Sequence, residues 1–259
     1  MLIDSHAHLE MPEFRRDLTE VLQRAKDSGV EYIFTVGTEK RDWARAIEIA
    51  QSHSSVYAIL GVHPHNAKEI DDRTYPILKQ LCRNEKVKAY GEIGLDFFRN
   101  HSPRDVQLKR FREQIALAKE LKLPIVVHDR DAHQETLEIL KSEKAWENGG
   151  IIHCFSGDER MADACIEMGF YISIPGSITY KTAGPFHEIV KRLPLESLLI
   201  ETDAPFLTPV PFRGKRNEPS YVRYTAQKIA EIKKIPFERV AEATTQNALT
   251  VFRLNLGKK

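Results

Sequence analysis

Short runs of branched and aromatic apolar residues recur along the 259-residue chain, and each is followed by a longer amphipathic stretch. Runs of this length are typical of strands, and the stretches between them repeat at helical spacing. Ile125-Val126-Val127 is apolar without interruption, as in a parallel strand that helices cover on the outside. Eight strands are predicted, at residues 2–6, 31–36, 56–61, 87–93, 124–128, 150–153, 170–174 and 198–202.

Strand and helix alternate eight times without a linker, which favours a single-domain (β/α)8 TIM barrel over residues 1–259. A typical barrel of this kind has roughly 250 residues. An open doubly wound sheet has the same order of elements, but the sequence lacks the glycine-rich phosphate loops that support that fold. Two C-terminal helices, at 220–233 and 237–254, are expected to close the barrel.

Two short segments predict helix boundaries. Ser102 and Pro103 are expected to supply the N-cap and the first position of a helix, because Leu108, Phe111 and further apolar residues follow at helical spacing. Gly29, after Lys26-Asp27-Ser28, is expected to stop the preceding helix, since glycine adopts the left-handed conformation that ends many helices.

Potential metal ligands stand where the predicted strands end. The carboxyl ends of barrel strands converge on one mouth, which holds the active site in this fold. These side chains are therefore expected to meet, although they are far apart in the sequence. They are His6 and His8 after the first strand, Glu92 at the fourth, His128 at the fifth, His153 at the sixth and Asp203 at the eighth.

The spacing of His6-Ala7-His8 suits a ligand pair. Side chains two positions apart in a strand point the same way, so both imidazoles are expected to face the interior while Ala7 faces the helices. The alternative is a pair of histidines hydrogen-bonded in a loop. By the same alternation, Cys154 is expected to face away from His153 and to serve packing.

The other candidates have structural alternatives too. A buried Glu92 is costly unless it pairs with an interior Arg or Lys or binds a metal, while His128 and His153 can be satisfied core histidines. Four histidines with two carboxylates suit zinc, manganese, iron or nickel better than an all-oxygen magnesium cage. One catalytic zinc needs only three protein ligands and a water. Six ligands therefore predict two ions, with Glu92 as the bridge.

Several motifs support a more specific interpretation. They are Leu2-Ile3-Asp4-Ser5-His6-Ala7-His8-Leu9, Gly91-Glu92-Ile93-Gly94-Leu95-Asp96, Pro124-Ile125-Val126-Val127-His128-Asp129-Arg130, Leu199-Ile200-Glu201-Thr202-Asp203-Ala204-Pro205 and Pro211-Phe212-Arg213-Gly214-Lys215-Arg216-Asn217-Glu218-Pro219. Together they resemble motifs of the TatD family of metal-dependent deoxyribonucleases, which belongs to the amidohydrolase-like barrels. The resemblance extends nearly from end to end, in order, and is specific at the level of the family.

The resemblance implies hydrolysis of phosphodiester bonds in DNA by a water that two divalent ions activate, with zinc, magnesium or manganese as the metal. It also implies a 3′–5′ exonuclease that acts on single strands or 3′ ends. Glu10, Phe98 and Gln134 depart from the family's pattern, which bears on substrate preference and removes no ligand. The implied ligands are His6, His8, Glu92 and Asp203 for one ion and Glu92, His128 and His153 for the other.

Asp203 and Glu92 are the catalytic candidates. Asp203 is expected to orient or deprotonate the attacking water while it is partly committed to a metal, and Glu92 is expected to bridge the ions. Glu201 lies two positions before Asp203, so it points the same way. It is expected to form a simple salt bridge, with support of the metal site as the alternative.

Substrate contacts are expected around the mouth. Arg213, Lys215 and Arg216 lie in the loop after the eighth strand, where barrels often bind phosphate, and the alternative is a solvated basic loop. Phe212 and Tyr221 stand beside them and are candidates for stacking on a base. The other predicted contacts are His63 and Arg130, with His65 expected at the periphery.

Composition limits the partners. The formal net charge is +1, so recognition of DNA must come from a local patch rather than from the field of the whole protein. Three scattered cysteines fit a reducing cytosol. There is neither an export signal nor an apolar run near the ~20 residues that span a bilayer. A cytoplasmic protein with no membrane and no obligate protein partner is expected.

Two other functions remain open at this point. One is a metal-dependent ester or amide hydrolase, such as a D-aminoacyl-tRNA deacylase, which would use the same metals on a different bond. The other is a barrel whose metal site is purely structural. A closed structural site needs only four ligands, so the six candidate ligands and the basic loop beside them favour catalysis.

Overall fold

The computed structural model describes residues 1–254, which form one parallel sheet whose eight strands follow the order of the chain. The sheet curls into a nearly closed barrel, so the predicted fold class is confirmed. The strands are β1 (Leu2–Ala7), β2 (Val30–Gly37), β3 (Val56–Leu60), β4 (Val87–Asp96), β5 (Ile125–Arg130), β6 (Gly150–Ile152), β7 (Phe170–Ile174) and β8 (Leu198–Ile200).

Helices cover the outside of the barrel and bury a continuous apolar layer against the strands. None of the helices within residues 1–254 combines the length and hydrophobicity needed to cross a membrane. The helices are α1 (Leu18–Asp27), α2 (Lys40–Ser52), α3 (Thr74–Leu81), α4 (Arg104–Leu121), α5 (His133–Ser142), α6 (Glu159–Glu167), α7 (Gly184–Arg192), α8 (Val222–Lys233) and α9 (Phe237–Val251).

A second apolar cluster fills the interior of the barrel. α9 closes the N-terminal end of the strands, where Phe252 stacks on Phe34 with ring centroids 3.6 Å apart and Thr245 donates a hydrogen bond to the carbonyl of Met1. The strand residues of this cluster are Ile3, Phe34, Val36, Ile59, Ala89, Val126, Ile151 and Leu199. Closure by the last predicted helix is thus confirmed, and the opposite end of the interior is left for polar side chains.

One predicted helix boundary is confirmed and one is wrong. Gly29 follows the end of α1 with a φ of +84°, in the left-handed region expected of a helix stop. Ser102 does not cap α4, which begins at Arg104 after Pro103. Its hydroxyl instead donates to the carbonyl of His65, 2.7 Å away, and so ties down the loop after β3.

A β-bulge in β1 turns His6 towards the mouth. Ile3 lies in the interior cluster, and the Ser5 hydroxyl bonds across the barrel to Ser173 at 3.0 Å. Simple alternation would therefore place Ala7, not His6, on the interior face. The pairing with β2 shifts by one residue between Asp4 and Ala7, so Ala7 packs in the outer layer and His6 and His8 both point inward.

A second bulge does the same for Glu92. Tyr90 and Ile93 of β4 both lie in the outer apolar layer, which leaves one residue too many for strict alternation. The pairing with β5 shifts between Gly91 and Ile93, so Glu92 is the extra residue and turns inward. Bulges thus turn one ligand candidate on β1 and one on β4 into the mouth, where His6 and Glu92 approach each other to 3.3 Å.

Gly94 permits the close contact between β4 and β5 that places His128. Its φ is +142°, and a Cβ at this position would lie 2.0 Å from the carbonyl oxygen of His128. A backbone of this kind strains any residue with a side chain. The glycine therefore sets the distance between Glu92 and His128.

Gly94→Ala is expected to lower the free energy of unfolding by roughly 2–5 kcal/mol, because it adds backbone strain and a steric clash. Chemical denaturation followed by circular dichroism measures the change. Gly184→Ala is the matched control, because a Cβ at Gly184, the first residue of α7, meets no atom within 4 Å. Equal stability of Gly94→Ala and wild type would contradict the close contact.

Candidate metal centre

A cavity of about 780 Å³ opens at the carboxyl ends of the strands. Five of the six predicted ligands line it, and the sixth, His6, lies beneath with its Nε2 3.3 Å from Oε2 of Glu92. The structure thus brings together the complete predicted set, from strands and strand ends that are far apart in sequence.

His6, His8 and Asp203 form one compact group, with one donor atom of each within 4.8 Å of the others. Asp203 Oδ1 lies 3.4 Å from Nε2 of His8 and 3.9 Å from Nε2 of His6. The Asp203 backbone adopts a φ of +55° and donates a hydrogen bond to the carbonyl of His6, which joins the end of β8 to β1.

The imidazole of His6 has no hydrogen-bond partner at either nitrogen, although it is fully buried. A buried polar atom without a partner costs about 1–3 kcal/mol, so such atoms are rare in native proteins. A cation held between His6, His8 and Asp203 would give this ring a partner. The donor set therefore fits a divalent metal.

Glu92 faces two sets of histidines with its two oxygens. Oε2 approaches His6, while Oε1 lies 2.7 Å from Nδ1 of His128 and 3.6 Å from Nε2 of His153. A carboxylate in this position suits the bridging role between two cations. His63 also belongs to the second set, because its Nε2 lies 3.4 Å from Oε1 of Glu92. The sequence did not indicate this contact.

In three of the histidines, one ring nitrogen contacts a carboxylate. His8 Nδ1 lies 3.1 Å from Glu10, His153 Nδ1 lies 3.0 Å from Glu201, and His128 Nε2 lies 3.0 Å from Asp96. Such a partner fixes the ring orientation, so that the other nitrogen faces Glu92 or Asp203 and could bind a metal between them.

The sequence did not indicate that Glu10 and Asp96 orient histidine rings. For Glu201 it favoured a simple salt bridge over support of the metal site. Glu201 does form an ion pair, with His153 rather than with an Arg or Lys, and its other oxygen accepts a hydrogen bond from the Cys154 amide at 2.7 Å. The spacing of two between His8 and Glu10 was the available signal for Glu10.

The charges of the cluster balance one another. Burial raises the pKa of Glu92, but His153, His63 and His128 outweigh it and hold that pKa well below its ordinary value. Burial lowers the pKa of His128 and His153, but their carboxylate neighbours raise both values to about 9. Protons therefore occupy these imidazoles near neutral pH, and a cation that binds must displace them.

Cys154 does not face away from the site, so that expectation is wrong. β6 ends at Ile152, and Cys154 has a φ of +45°, which breaks the alternation of a strand. Its side chain lines the cavity within 4.8 Å of donor atoms of His153 and Asp203. Burial, with Asp203 and Glu201 nearby, raises the pKa of the thiol well above its usual value, so the group is neutral.

The basic residues are distributed unevenly. Arg130 lines the cavity, with its guanidinium 4.0 Å above the ring of Phe98. Arg213 lies 4.3 Å above the ring of Tyr180 on the rim, and Lys215 is exposed beside Phe212; neither lines the cavity. His65 reaches into the cavity and bonds to Asp96 at 2.9 Å.

Side chains of the basic loop also pair within the protein. Arg216 is engaged by a bidentate ion pair with Asp17, at 2.6 and 2.8 Å, which fastens the loop to the start of α1. Phe212 and Tyr221 stack on each other, with ring centroids 4.4 Å apart, so they pack as a pair within the loop.

A (β/α)8 barrel with clustered histidines and carboxylates at its mouth is the architecture of a metal-dependent hydrolase. The sequence model of the family described as TatD related DNase matches residues 3–253, and the chain belongs to this family. It is 49% identical to an uncharacterized metal-dependent hydrolase, YabD of Bacillus subtilis, over 98% of this chain and 100% of that protein.

Two further relatives extend the comparison. A protein of Erwinia amylovora named 3′-5′ ssDNA/RNA exonuclease TatD is 34% identical, over 98% of this chain and 100% of that protein. The crystal structure of YjjV, a TatD homologue of Escherichia coli, superposes with a TM-score of 0.92 at 34% identity, covering 98% of both chains.

Glu201→Gln is expected to weaken divalent-metal affinity about 10- to 100-fold, since the uncharged amide orients and polarises His153 less well. Competition with a chromophoric chelator measures the affinity. Glu218→Gln is the matched control, because Glu218 is also a buried carboxylate but pairs with Arg24 away from the mouth. Unchanged affinity in Glu201→Gln would show that the Glu201 contact does not support metal binding.

Proposed function

We propose that this TatD-family hydrolase cleaves phosphodiester bonds in DNA, with single strands or 3′ ends as its substrate and release of nucleotides from the 3′ end. The observation that carries the proposal is the combination in one cavity of a histidine–carboxylate centre with unpaired guanidinium groups. Arg99 and Arg130 both line the cavity beside the ring of Phe98, and within residues 1–254 neither forms an ion pair with a carboxylate. The name of the Erwinia relative supports the same substrate class.

Two divalent ions are proposed as cofactors, with zinc, magnesium and manganese as candidates. When bound, such ions lower the pKa of water and polarise phosphoryl oxygens. The proposed ligands are His6, His8, Glu92 and Asp203 for one ion and Glu92, His128 and His153 for the other, with His63 beside Glu92 and His128.

Asp203 is proposed to orient and deprotonate the attacking water. Its side chain is 14% exposed and lines the cavity, whereas that of Glu92 is 4% exposed and enclosed by histidines. Burial raises the pKa of Asp203, but His8 and His153 outweigh it and lower that pKa, so the carboxylate is ionised and able to accept a hydrogen bond from water. Glu92 is proposed to hold the two histidine sets at a constant separation.

Arg130 and His63 are proposed to contact the phosphate within the cavity. The planar guanidinium of Arg130 can form two hydrogen bonds to one phosphate. Burial and the neighbouring His128 lower the pKa of His63 to about 4, so at neutral pH it offers a hydrogen bond without charge. Arg213 and Lys215 are proposed to bind the backbone farther along the rim.

Asp203→Asn is expected to lower the rate of DNA hydrolysis at least ~10²-fold while the protein stays folded, because the amide cannot accept the proton. Release of labelled nucleotide from a single-stranded oligonucleotide, with circular dichroism in parallel, measures both. Asp72→Asn, at an exposed site outside the cavity, is the control. A wild-type rate in Asp203→Asn would remove Asp203 from the mechanism.

Removal of metal by a chelator is expected to abolish turnover, to lower the midpoint of thermal unfolding by about 5–10 °C and to leave the barrel folded. The interior apolar cluster beneath the mouth does not depend on the metal for its packing. If the metal site were purely structural, removal of the metal would lower the stability of the barrel but would not change the rate of hydrolysis by the protein that stays folded.

The same metal-loaded preparation separates DNA cleavage from the ester and amide alternative. Single-stranded DNA, RNA, a D-aminoacyl-tRNA and a small carboxylic ester are offered as substrates. Preferred cleavage of the oligonucleotides supports the proposal, and preferred release of the aminoacyl group overturns it.

A further inference from the structure

Two large apolar rings at the mouth are left exposed to solvent. Phe98, two residues after the end of β4, is 55% exposed, and Phe206, in the loop after β8, is 49% exposed. Phe206 lines the cavity, with its ring 6.1 Å from that of His8, and Phe98 contacts Arg130, which also lines the cavity. Neither ring packs in the apolar core, so their exposure does not stabilise the fold.

The two rings stand on opposite sides of the metal centre. β4 and β8 are separated by three strands in either direction around the nearly closed eight-stranded barrel, so their carboxyl ends face each other across the mouth. Glu92 on β4 and Asp203 after β8 lie between the rings, at the candidate reaction site. A polymer bound across the centre therefore passes one ring on each side.

The charge around Phe98 fits a nucleic acid. The guanidinium of Arg130 lies 4.0 Å above the ring and that of Arg99 lies 5.6 Å away. Within the described chain, these guanidiniums have no carboxylate partner, whereas Arg216 and Arg24 are paired with Asp17 and Glu218. Both the ring and the guanidinium plane can stack on a base, and the charge attracts the phosphate beside that base.

We propose that Phe98, with Arg130, and Phe206 are stacking platforms for nucleobases on the two sides of the reacting phosphodiester. This inference rests on the proposed function and makes it more specific. The substrate must offer free base faces on both sides of the bond, which a single strand does and a stacked duplex does not. Stacking contacts every base alike, so cleavage is tolerant of sequence.

Kinetics on two oligonucleotides test the platforms in the metal-loaded enzyme. One substrate is a dT 12-mer, and the other is the same phosphodiester backbone without bases. Phe98→Ala and Phe206→Ala are each expected to lower kcat/KM on the dT 12-mer about tenfold, the effect typical of losing one stacked base. Both variants are expected to cleave the base-free backbone at the wild-type rate.

Controls separate stacking from structural effects. Phe98→Tyr and Phe206→Tyr keep an aromatic ring and are expected to retain wild-type kcat/KM. Trp146 is another exposed aromatic residue, 42% exposed, and it lies between α5 and β6 at the opposite end of the barrel. Trp146→Ala is expected to leave kcat/KM on both substrates unchanged. The wild-type enzyme is expected to cleave a dT·dA duplex of the same length about tenfold more slowly than the single strand.

The outcomes distinguish this inference from the function on which it rests. Cleavage of the dT 12-mer by wild type with no loss in the alanine variants overturns the platforms and leaves the nuclease proposal standing. An equal loss on both substrates also overturns them, because the rings then act through the protein and not through bases. Failure of wild type to cleave either oligonucleotide overturns the proposed function, and this inference with it.

Discussion

The burial of one carboxylate among four imidazoles is the constraint around which the mouth is built. Glu92 has histidine nitrogens within 3.6 Å on both of its oxygens, and the rings of His6 and His153 stack at 3.6 Å. Charges this deep are costly unless they are matched. Glu10, Asp96 and Glu201 place further negative charge on the other side of the rings of His8, His128 and His153, and these contacts fix the orientation of the rings.

The apolar residues that stabilise the barrel and the polar residues of the metal centre lie at opposite ends of its interior. Apolar side chains fill the interior towards α9, where Phe252 stacks on Phe34, while the carboxyl ends of the strands carry the polar cluster. Parallel strands also bring ligands from distant parts of the chain to one rim, since every strand ends at the same side. The price of this arrangement is irregular backbone at the mouth, including bulges in β1 and β4 and left-handed residues at Cys154 and Asp203.

Residues of one loop can have opposite roles, as the basic segment after β8 demonstrates. Arg216 is fastened to Asp17 and stabilises the position of the loop, whereas Arg213, three residues earlier, is exposed above Tyr180. Arg130 and Arg99 belong to other strand ends and reach the cavity itself. The cationic groups inside the cavity therefore come from the ends of β4 and β5, whereas the loop after β8 places its exposed cationic groups on the rim.

The sequence by itself determined the fold and the six ligand candidates, because hydrophobic periodicity reports which elements form and a parallel barrel has only one polar mouth. It did not reveal that Cys154 lines the cavity, that His63 joins Glu92 or that Asp96 holds His128. Those contacts depend on bulges, positive φ angles and pairings between separate strands, and local alternation contains no information about them. Only the tertiary structure decided which side of a strand each of these residues faces, since one extra residue in a strand reverses the facing of every residue after it.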